Sequence, residues 1–215
     1  MKLVKTLSVL LLIYTAAAGI LLEVPRLPIL NETIRVLYFH VPMWFTMIFL
    51  LLLSSVNAYK FISTKNIKYD LISYNYAHVG VYFGVLGIVT GMIWANYTWG
   101  TFWTNDPKLN GSAVGLLIYF GYFVLRNSIE DESKKAKVSS VYSVFAFSML
   151  IPLIFILPRL TDSLHPGNGG NPGFNVYDLN SQLRLVFYPA VIGFICLGLW
   201  IANIKFKLLK LTDKR

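Results

Sequence analysis

The sequence is poor in charged residues and in cysteine. Charged residues make up 13% of its 215 residues, whereas soluble domains carry roughly 25%. Hydrophobic residues make up 56%, and the mean hydropathy is +0.60. This composition excludes an ordinary soluble domain and predicts a protein embedded in lipid. The single cysteine, Cys196, excludes a disulfide framework, a CxxC redox motif and a CxxCH haem-attachment motif.

Several motifs of catalysis and nucleotide binding are also absent. There is no GxxxxGK[ST] motif, so the chain has no phosphate-binding loop with which to power transport. There is no GxSxG, HExxH or paired-carboxylate pattern of a hydrolase. These absences predict that the chain is not an enzyme. The net charge of +9 does not indicate nucleic-acid binding, because the basic residues lie at the ends of apolar runs.

Six apolar runs are long enough, or nearly so, to cross about 30 Å of hydrocarbon as helices. They predict an all-α, polytopic membrane protein with a single membrane domain over residues 1–215. The first run contains Ala16-Ala17-Ala18, as a cleaved signal peptide would, but it continues to Leu22, which favours a retained helix. The fourth run is marginal and requires Arg126 to extend to the interface. The predicted spans are 4–22, 37–59, 71–95, 112–128, 139–158 and 185–204.

The basic residues lie mostly on one side of the six predicted spans. Of the 19 lysines and arginines, 14 fall at the N-terminus, in the loops 60–70 and 126–138, and in the C-terminal tail. Basic residues concentrate on the cytoplasmic side of membrane proteins, so both termini are predicted to be cytoplasmic and the outer loops to be 23–40, 96–111 and 159–184. The outer side holds the other five basic residues, Arg26, Arg35, Lys108, Arg159 and Arg184.

The second outer loop is rich in aromatic residues. Its rings, glycine and carboxylate predict a flat surface for a planar ligand, formed by Trp99, Gly100, Phe102, Trp103 and Asp106. Trp99 and Trp103 would share a face if the loop contains a helical turn. Two other interpretations remain open. Aromatic residues collect at membrane interfaces without any ligand, and an aspartate before a proline also suits a turn or a helix cap.

Two of the three histidines, His40 and His165, lie in outer loops beside the aromatic segment. Neutral imidazoles bind iron, copper or zinc. A structural zinc site requires four protein ligands, whereas haem iron requires only two axial ligands, so the pair predicts a haem site. Arg35 and Arg184 are the preferred partners of the haem propionates. Alternatively, these histidines and arginines are ordinary interfacial residues.

Two further features complete the sequence-based expectations. The third outer loop is rich in glycine, proline and asparagine from Pro166 to Gly173, which predicts mobility. His78 lies inside the third predicted span, one turn after Asn75. Ionisable residues inside a membrane are candidates for function. No second histidine lies at mid-membrane, so His78 is predicted to form a hydrogen bond between helices.

These segments together resemble the CcmC-type haem-handling proteins of cytochrome c maturation, a group related to CcsA- and CcmF-like proteins. The sequence RVLYFHVP, which contains His40, is similar to the family segment that carries one axial histidine. The segment from Val89 to Trp94, followed by WGTFW and Asp106, is similar to the WGTWWxxD signature of the family. Leu164-His165 is similar to the segment of the second axial histidine. Phe102 and Asn105 depart from the signature, which usually has aromatic residues there.

The resemblance implies non-covalently bound haem b, held at the outer surface by His40 and His165 and delivered to a membrane-tethered haem chaperone. It also implies an ABC-type membrane partner complex and a small membrane subunit. The expected location is the bacterial cytoplasmic membrane with the haem site on the periplasmic side, or an organellar inner membrane in a eukaryote. Two alternatives are a secondary transporter of haem or another solute and a synthase-like protein that attaches haem to apocytochrome c.

Overall fold

The computed structural model describes residues 1–26, 29–165 and 179–212, most of which are helical. Helix α1 (Lys2–Leu21) is followed by a 3₁₀ helix (Asn31–Val36) that continues directly into α2 (Leu37–Thr64). Two further long helices are α3 (Ile67–Trp99) and α4 (Pro107–Asn127). Helix α5 (Glu132–Ile151) continues through a π-helical turn (Pro152–Ile156) into the short α6 (Leu157–Leu160), and α7 covers Ser181–Thr212.

Within the described residues, six helical segments are long and apolar enough to cross a membrane. This confirms the predicted class, an all-α polytopic membrane protein. The helices extend beyond the apolar runs, since α3 begins four residues before the predicted span and ends four residues after it. Hydrophobicity marks only the part of a helix that needs lipid, whereas caps decide where the helix ends. Asn66 caps the start of α3, and Gly100, with φ of +76°, follows its last residue.

Helix α2 lies at the centre of the bundle and packs against α3, α5 and α7. Its side chains Met47, Leu50 and Leu51 are fully buried. Small hydroxyl side chains allow the helices to approach closely. Ser54 donates to the carbonyl of Ser73 at 2.8 Å, and its hydroxyl lies 3.1 Å from that of Ser143 on α5. The bundle therefore combines apolar packing with short polar contacts between helices.

The predicted extension of Arg126 to the membrane interface is wrong. Arg126 is only 6% exposed, and its guanidinium binds the carboxylate of Asp70 on α3 through two hydrogen bonds of 2.8 and 2.6 Å. A guanidinium and a carboxylate match each other geometrically, and the pair is neutral overall, so it can remain buried between α3 and α4. The partner is 56 residues away in sequence, which is why the span alone did not reveal it.

The expectation that His78 forms a hydrogen bond between helices is wrong for its buried Nδ1 atom, which has no partner among the described residues. The neighbouring Asn75 makes such a bond instead, donating to the carbonyl of Ala202 on α7 at 2.7 Å. His78 packs its ring against aromatic side chains. Its imidazole is therefore held by ring contacts.

Candidate functional site

The predicted site residues surround the C-terminal end of α3. His40 lies in the first turn of α2, whose N-terminal end packs here against α3. His165 lies after α6 and contacts Trp99, the last residue of α3. The connection between α3 and α4 comprises residues 100–106 and is shorter than the predicted loop 96–111. Residues 166–178 and their expected mobility lie outside the described residues.

His40 is 9% exposed and packs edge-to-face against Trp44 and Trp94, with ring centroids 6.3 and 5.8 Å away. Its Nδ1 lies 3.0 Å from the hydroxyl oxygen of Thr90. Thr90 donates its own proton to the carbonyl of Leu86 at 2.8 Å, so its oxygen accepts a hydrogen bond from His40 Nδ1–H. This favours the neutral tautomer of His40 in which Nε2 carries a lone pair that can bind a metal.

Glycine 91 makes room for the His40 ring. A Cβ atom at Gly91 would lie 2.7 Å from Cε1 of His40, which is closer than real Cβ contacts. One turn further along α3, Trp94 donates from Nε1 to the hydroxyl of Thr33 in the 3₁₀ helix at 3.2 Å. The segment around Gly91 therefore both admits the imidazole and attaches α3 to the chain that precedes α2.

Asp106 is a buried carboxylate that joins three segments of the chain. Its Oδ1 caps α4 by accepting from the backbone N–H groups of Lys108 and Leu109 at 2.9 and 3.3 Å. Its Oδ2 accepts from the Ser163 hydroxyl and the Leu164 backbone N–H, both at 2.8 Å. The interpretation of Asp106 as a helix cap is thus confirmed, but the side chain also anchors the segment that carries the second histidine.

His165 directs Nδ1 at Asp106, 3.0 Å from Oδ1. An ionised carboxylate only accepts hydrogen bonds, so Nδ1 carries the proton and Nε2 of the neutral ring is left with a lone pair. Burial alone would raise the pKa of Asp106, but the hydrogen bonds from His165, Leu164 and Ser163 hold it below its ordinary value. The His165 ring also packs edge-to-face against Trp99, with centroids 5.1 Å apart.

The aromatic side chains after α3 are partly exposed. Phe102 is 53% exposed and Trp103 is 37% exposed. Trp103 donates from Nε1 to Asn110 at 3.2 Å, and Asn110 in turn donates to Asn105 at 2.8 Å. The condition under which Trp99 and Trp103 would share a helix face is not met, because α3 ends at Trp99 and Trp103 lies in the non-helical connection. Phe102 and Trp103 are nevertheless exposed aromatic rings in the connection that ends at Asp106, the partner of His165.

The two arginines predicted to bind propionates differ in their surroundings. Arg35 donates to Glu32 and to the carbonyls of Gly19 and Leu22, each at 2.7 Å, so its guanidinium already joins the end of α1 to the 3₁₀ helix. The Nε of Arg184 is buried and has no hydrogen-bond partner among the described residues. Arg184 thus keeps one guanidinium N–H donor without a partner among the described residues. In Arg35, by contrast, the Nε and Nη1 donors already form hydrogen bonds within the protein.

Two residues that position the histidines were not identified from the sequence as site residues, namely Thr90 and Ser163. Thr90 lies in the segment that resembles the family signature, one position before Gly91. That place in the signature is the sequence signal that could have marked Thr90 as a site residue. Ser163 offered no local signal, because its partner Asp106 is 57 residues away. His40 contacts α3 at Thr90 and Gly91, and His165 contacts it at Trp99. The fold therefore brings both histidines to one end of α3.

The chain is similar to curated proteins of cytochrome c biogenesis. It is 26% identical over 145 residues to heme exporter protein C of Haemophilus influenzae, covering 65% of this chain and 56% of that protein. It is 28% identical over 172 residues to heme exporter protein C of Rhodobacter capsulatus, covering 74% and 69%. A cytochrome c biogenesis protein CcsA of Prochlorococcus marinus matches over 65 residues at 40% identity, covering 30% and 21%.

The matched segments make up only part of those proteins, since the chain spans about half the length of several curated relatives it matches. The CcmC family model, described as heme exporter protein C, matches a far larger share of this sequence, residues 1–214. Since that match includes every described helix and both His40 and His165, this chain belongs to the CcmC, or heme exporter protein C, family.

Proposed function

We propose that this chain binds haem non-covalently through His40 and His165 at one membrane surface and delivers it for cytochrome c maturation. The proposal depends on one observation. Both imidazoles have Nδ1 hydrogen-bonded to an oxygen, that of Thr90 or Asp106, so Nε2 of each is the atom left to bind iron. Metal-binding histidines almost always donate their second ring N–H to such an acceptor. Two imidazoles are sufficient for haem, because the porphyrin supplies the other iron ligands and the protein supplies only the axial ones.

The aromatic residues and Arg184 would complete the haem site. Phe102 and Trp103 present exposed rings in the connection that ends at Asp106, and planar rings stack favourably on a planar macrocycle. Arg184 has an unused buried donor that could meet a propionate carboxylate. Arg35 is the weaker of the two predicted propionate partners, because its donors already bind Glu32 and two backbone carbonyls.

A site that takes its two histidines from separate segments, the start of α2 and the segment after α6, suits transfer better than permanent storage. His40 contacts α3 at Gly91 and His165 contacts it at Trp99, eight residues later, a rise of about 12 Å. Two imidazole nitrogens that bind one metal lie only about 4 Å apart, since each bond is about 2 Å long. We expect the two imidazoles to approach each other when haem is held and to separate when it is released.

The charge distribution supports an orientation of the chain in the membrane, and the family supports a set of partners. The excess of basic residues at the termini and inner loops supports cytoplasmic termini and a haem site on the outer, periplasmic face. We infer that the acceptor is a membrane-tethered haem chaperone, and that an ABC-type membrane complex and a small membrane subunit act with this chain. On this proposal the chain is a transfer component and catalyses no bond formation, in a bacterial cytoplasmic or an organellar inner membrane.

An absorption spectrum of the purified protein with haem tests the proposal. The unmodified chain is expected to show low-spin bands of bis-imidazole haem. His40→Ala or His165→Ala should each abolish those bands, because either change removes one axial ligand. Tyr97→Phe is a matched control, since Tyr97 lies at the same end of α3 and its side chain is 75% exposed.

Bis-imidazole bands that persist in both histidine variants would refute the proposed site. Loss of the bands in Tyr97→Phe as well would show that the spectrum reports general disruption of this surface. Thioether attachment of haem to apocytochrome c by the purified chain alone would instead favour a synthase-like activity.

A further inference from the structure

The first turn of α4 holds both the His165 segment and the side chain of Trp103. Asp106 caps this turn and is hydrogen-bonded to the His165 imidazole. Asn110 is the fourth residue of α4, and its backbone N–H donates to the carbonyl of Asp106 at 3.0 Å. The side chain of the same Asn110 binds the indole of Trp103. One predicted axial ligand and one predicted stacking ring are therefore attached to the same helical turn.

Three side chains are joined in series by hydrogen bonds, an arrangement that we call the Trp103–Asn110–Asn105 relay. Trp103 donates from Nε1 to Oδ1 of Asn110 at 3.2 Å, and Asn110 donates from Nδ2 to Oδ1 of Asn105 at 2.8 Å. An indole N–H only donates, so it must meet the oxygen of the Asn110 amide, and the NH2 group of that amide then faces Asn105. This NH2 group also only donates, so it requires an acceptor at residue 105. Asn105 therefore fixes the orientation of the amide that holds the indole.

The backbone of Trp103 is held as well. The hydroxyl of Thr101 donates to the carbonyl of Trp103 at 3.1 Å, and Gly100 turns the chain after α3 with φ of +76°. Trp103 is 37% exposed, as a ring that stacks on a ligand needs to be. Exposed side chains change rotamer within nanoseconds unless a contact restrains them. The hydrogen bond to Asn110 is such a contact, and it joins the indole to a helix.

We propose that Asn105 and Asn110 are positioning residues that fix the Trp103 indole as a preformed stacking surface for haem. This inference rests on the proposed function, because it takes haem as the ligand. Asn105 is one of the two positions at which the sequence departs from the aromatic residues usual in the family signature. A phenylalanine or tryptophan at that position would offer Asn110 no acceptor. The departure therefore supplies a contact that those side chains could not make.

A preformed ring surface strengthens binding, because a ring that is already fixed loses less conformational freedom when it stacks on a ligand. Immobilising one mobile side chain on binding typically weakens affinity about two- to tenfold. This positioning role differs from iron ligation, since it leaves both axial imidazoles in place. Loss of the relay should therefore lower haem affinity by about that factor and leave the low-spin bands unchanged.

Fluorine magnetic resonance of the purified full chain, labelled with 5-fluorotryptophan and free of haem, tests the positioning role directly. The chain has five tryptophans, and Trp103→Phe identifies the signal of residue 103. Asn105→Leu should shift and sharpen this signal, because the indole gains motion. Asn105→Asp keeps an acceptor oxygen and should leave the signal in place. Asn127→Leu replaces an exposed asparagine at the other end of α4; it is the matched control and should not change the signal.

Haem titration of the same variants relates the position of the ring to binding. Asn105→Leu should weaken haem binding about two- to tenfold with unchanged low-spin bands, and Asn127→Leu should not weaken it. Asn110→Ala removes the acceptor of the indole itself and should cause the same loss. Because both asparagines act through one indole, the double variant Asn105→Leu/Asn110→Ala should lose no more affinity than either single variant.

The outcomes separate this inference from the proposed function. An unmodified chain that shows no low-spin bands of bis-imidazole haem refutes the proposed function, and this inference with it. With those bands present, a Trp103 signal that stays unchanged in Asn105→Leu overturns the inference alone. A shifted signal with unaltered haem affinity also overturns it, because the fixed indole would then not contact haem. Losses that add in the double variant would show that the two asparagines act separately, which contradicts the relay.

Discussion

The Asp106–His165 hydrogen bond is the contact whose removal tests the proposed haem site most sharply. Asp106→Asn retains the size of the side chain and one oxygen. Asparagine and aspartate are about equally good helix N-caps, so the start of α4 should survive. The carboxylate, however, accepts from two backbone N–H groups and His165 at one oxygen, and from Ser163 and Leu164 at the other. The NH2 group of asparagine only donates hydrogen bonds, so it cannot replace the carboxylate oxygen whose place it takes.

The size of the effect follows from these contacts. Whichever position the amide takes, at least one N–H donor in a buried place loses its acceptor, which costs about 1–3 kcal/mol of stability. The His165 segment is displaced, or its ring is no longer held as the Nδ1–H tautomer. Loss of such a second partner typically lowers metal affinity about 10- to 100-fold, or about 1.4–2.7 kcal/mol. We expect a haem-affinity decrease of this size with retained folding.

Haem titration and the low-spin absorption bands measure the effect in the purified chain. Asp131→Asn is the matched control, because Asp131 caps α5 by accepting from the Lys134 N–H at 2.6 Å and is exposed. It should leave haem affinity unchanged. An Asp106→Asn protein with unaltered affinity and bands would refute the positioning role. Equal losses in both variants would attribute the effect to capping in general.

Three further outcomes are expected. Gly91→Ala places a Cβ 2.7 Å from Cε1 of His40, so it should displace the ring and abolish the low-spin bands, whereas the circular dichroism of the helices should be retained. Arg126→Met leaves Asp70 buried and unpaired, which should cost about 3–5 kcal/mol; a thermal midpoint like that of the unmodified chain would contradict this. The pKa of Asp106 is held below the usual value of about 3.9, so its ionised form stabilises the fold above that pH. This contribution is lost as the pH falls below about 3.9, and thermal scans in acid should show less loss in Asp106→Asn.

The helices and their lipid environment were predictable because they depend on local composition. A run of about 20 apolar residues is long enough to cross the hydrocarbon of a bilayer as a helix, and this does not depend on how the other helices pack against it. His40 and the aromatic loop were also identifiable, because they lie in short segments where residue type and order carry the signal. The cap formed by Asp106 was one of two local interpretations, since an aspartate before Pro107 suits the first turn of a helix.

The errors concern residues whose partners are distant in sequence. Arg126 was expected to reach the interface, but it binds Asp70, 56 residues earlier. The two hydrogen bonds to the Asp70 carboxylate take the place of those that the guanidinium would form with water, so it can remain buried. His78 was expected to bond across helices, but Asn75 does so instead. Both outcomes depend on which faces of α3, α4 and α7 meet.

The amino-acid sequence alone determined that six helices cross lipid and that an aromatic segment connects two of them, because hydropathy and residue order act locally. His40 was expected in a loop, but it lies in the first turn of α2. Only the tertiary structure decided that Thr90 and Asp106 hold Nδ1 of His40 and His165. These contacts join residues 50 and 59 positions apart, and helix packing alone brings such residues within hydrogen-bonding distance.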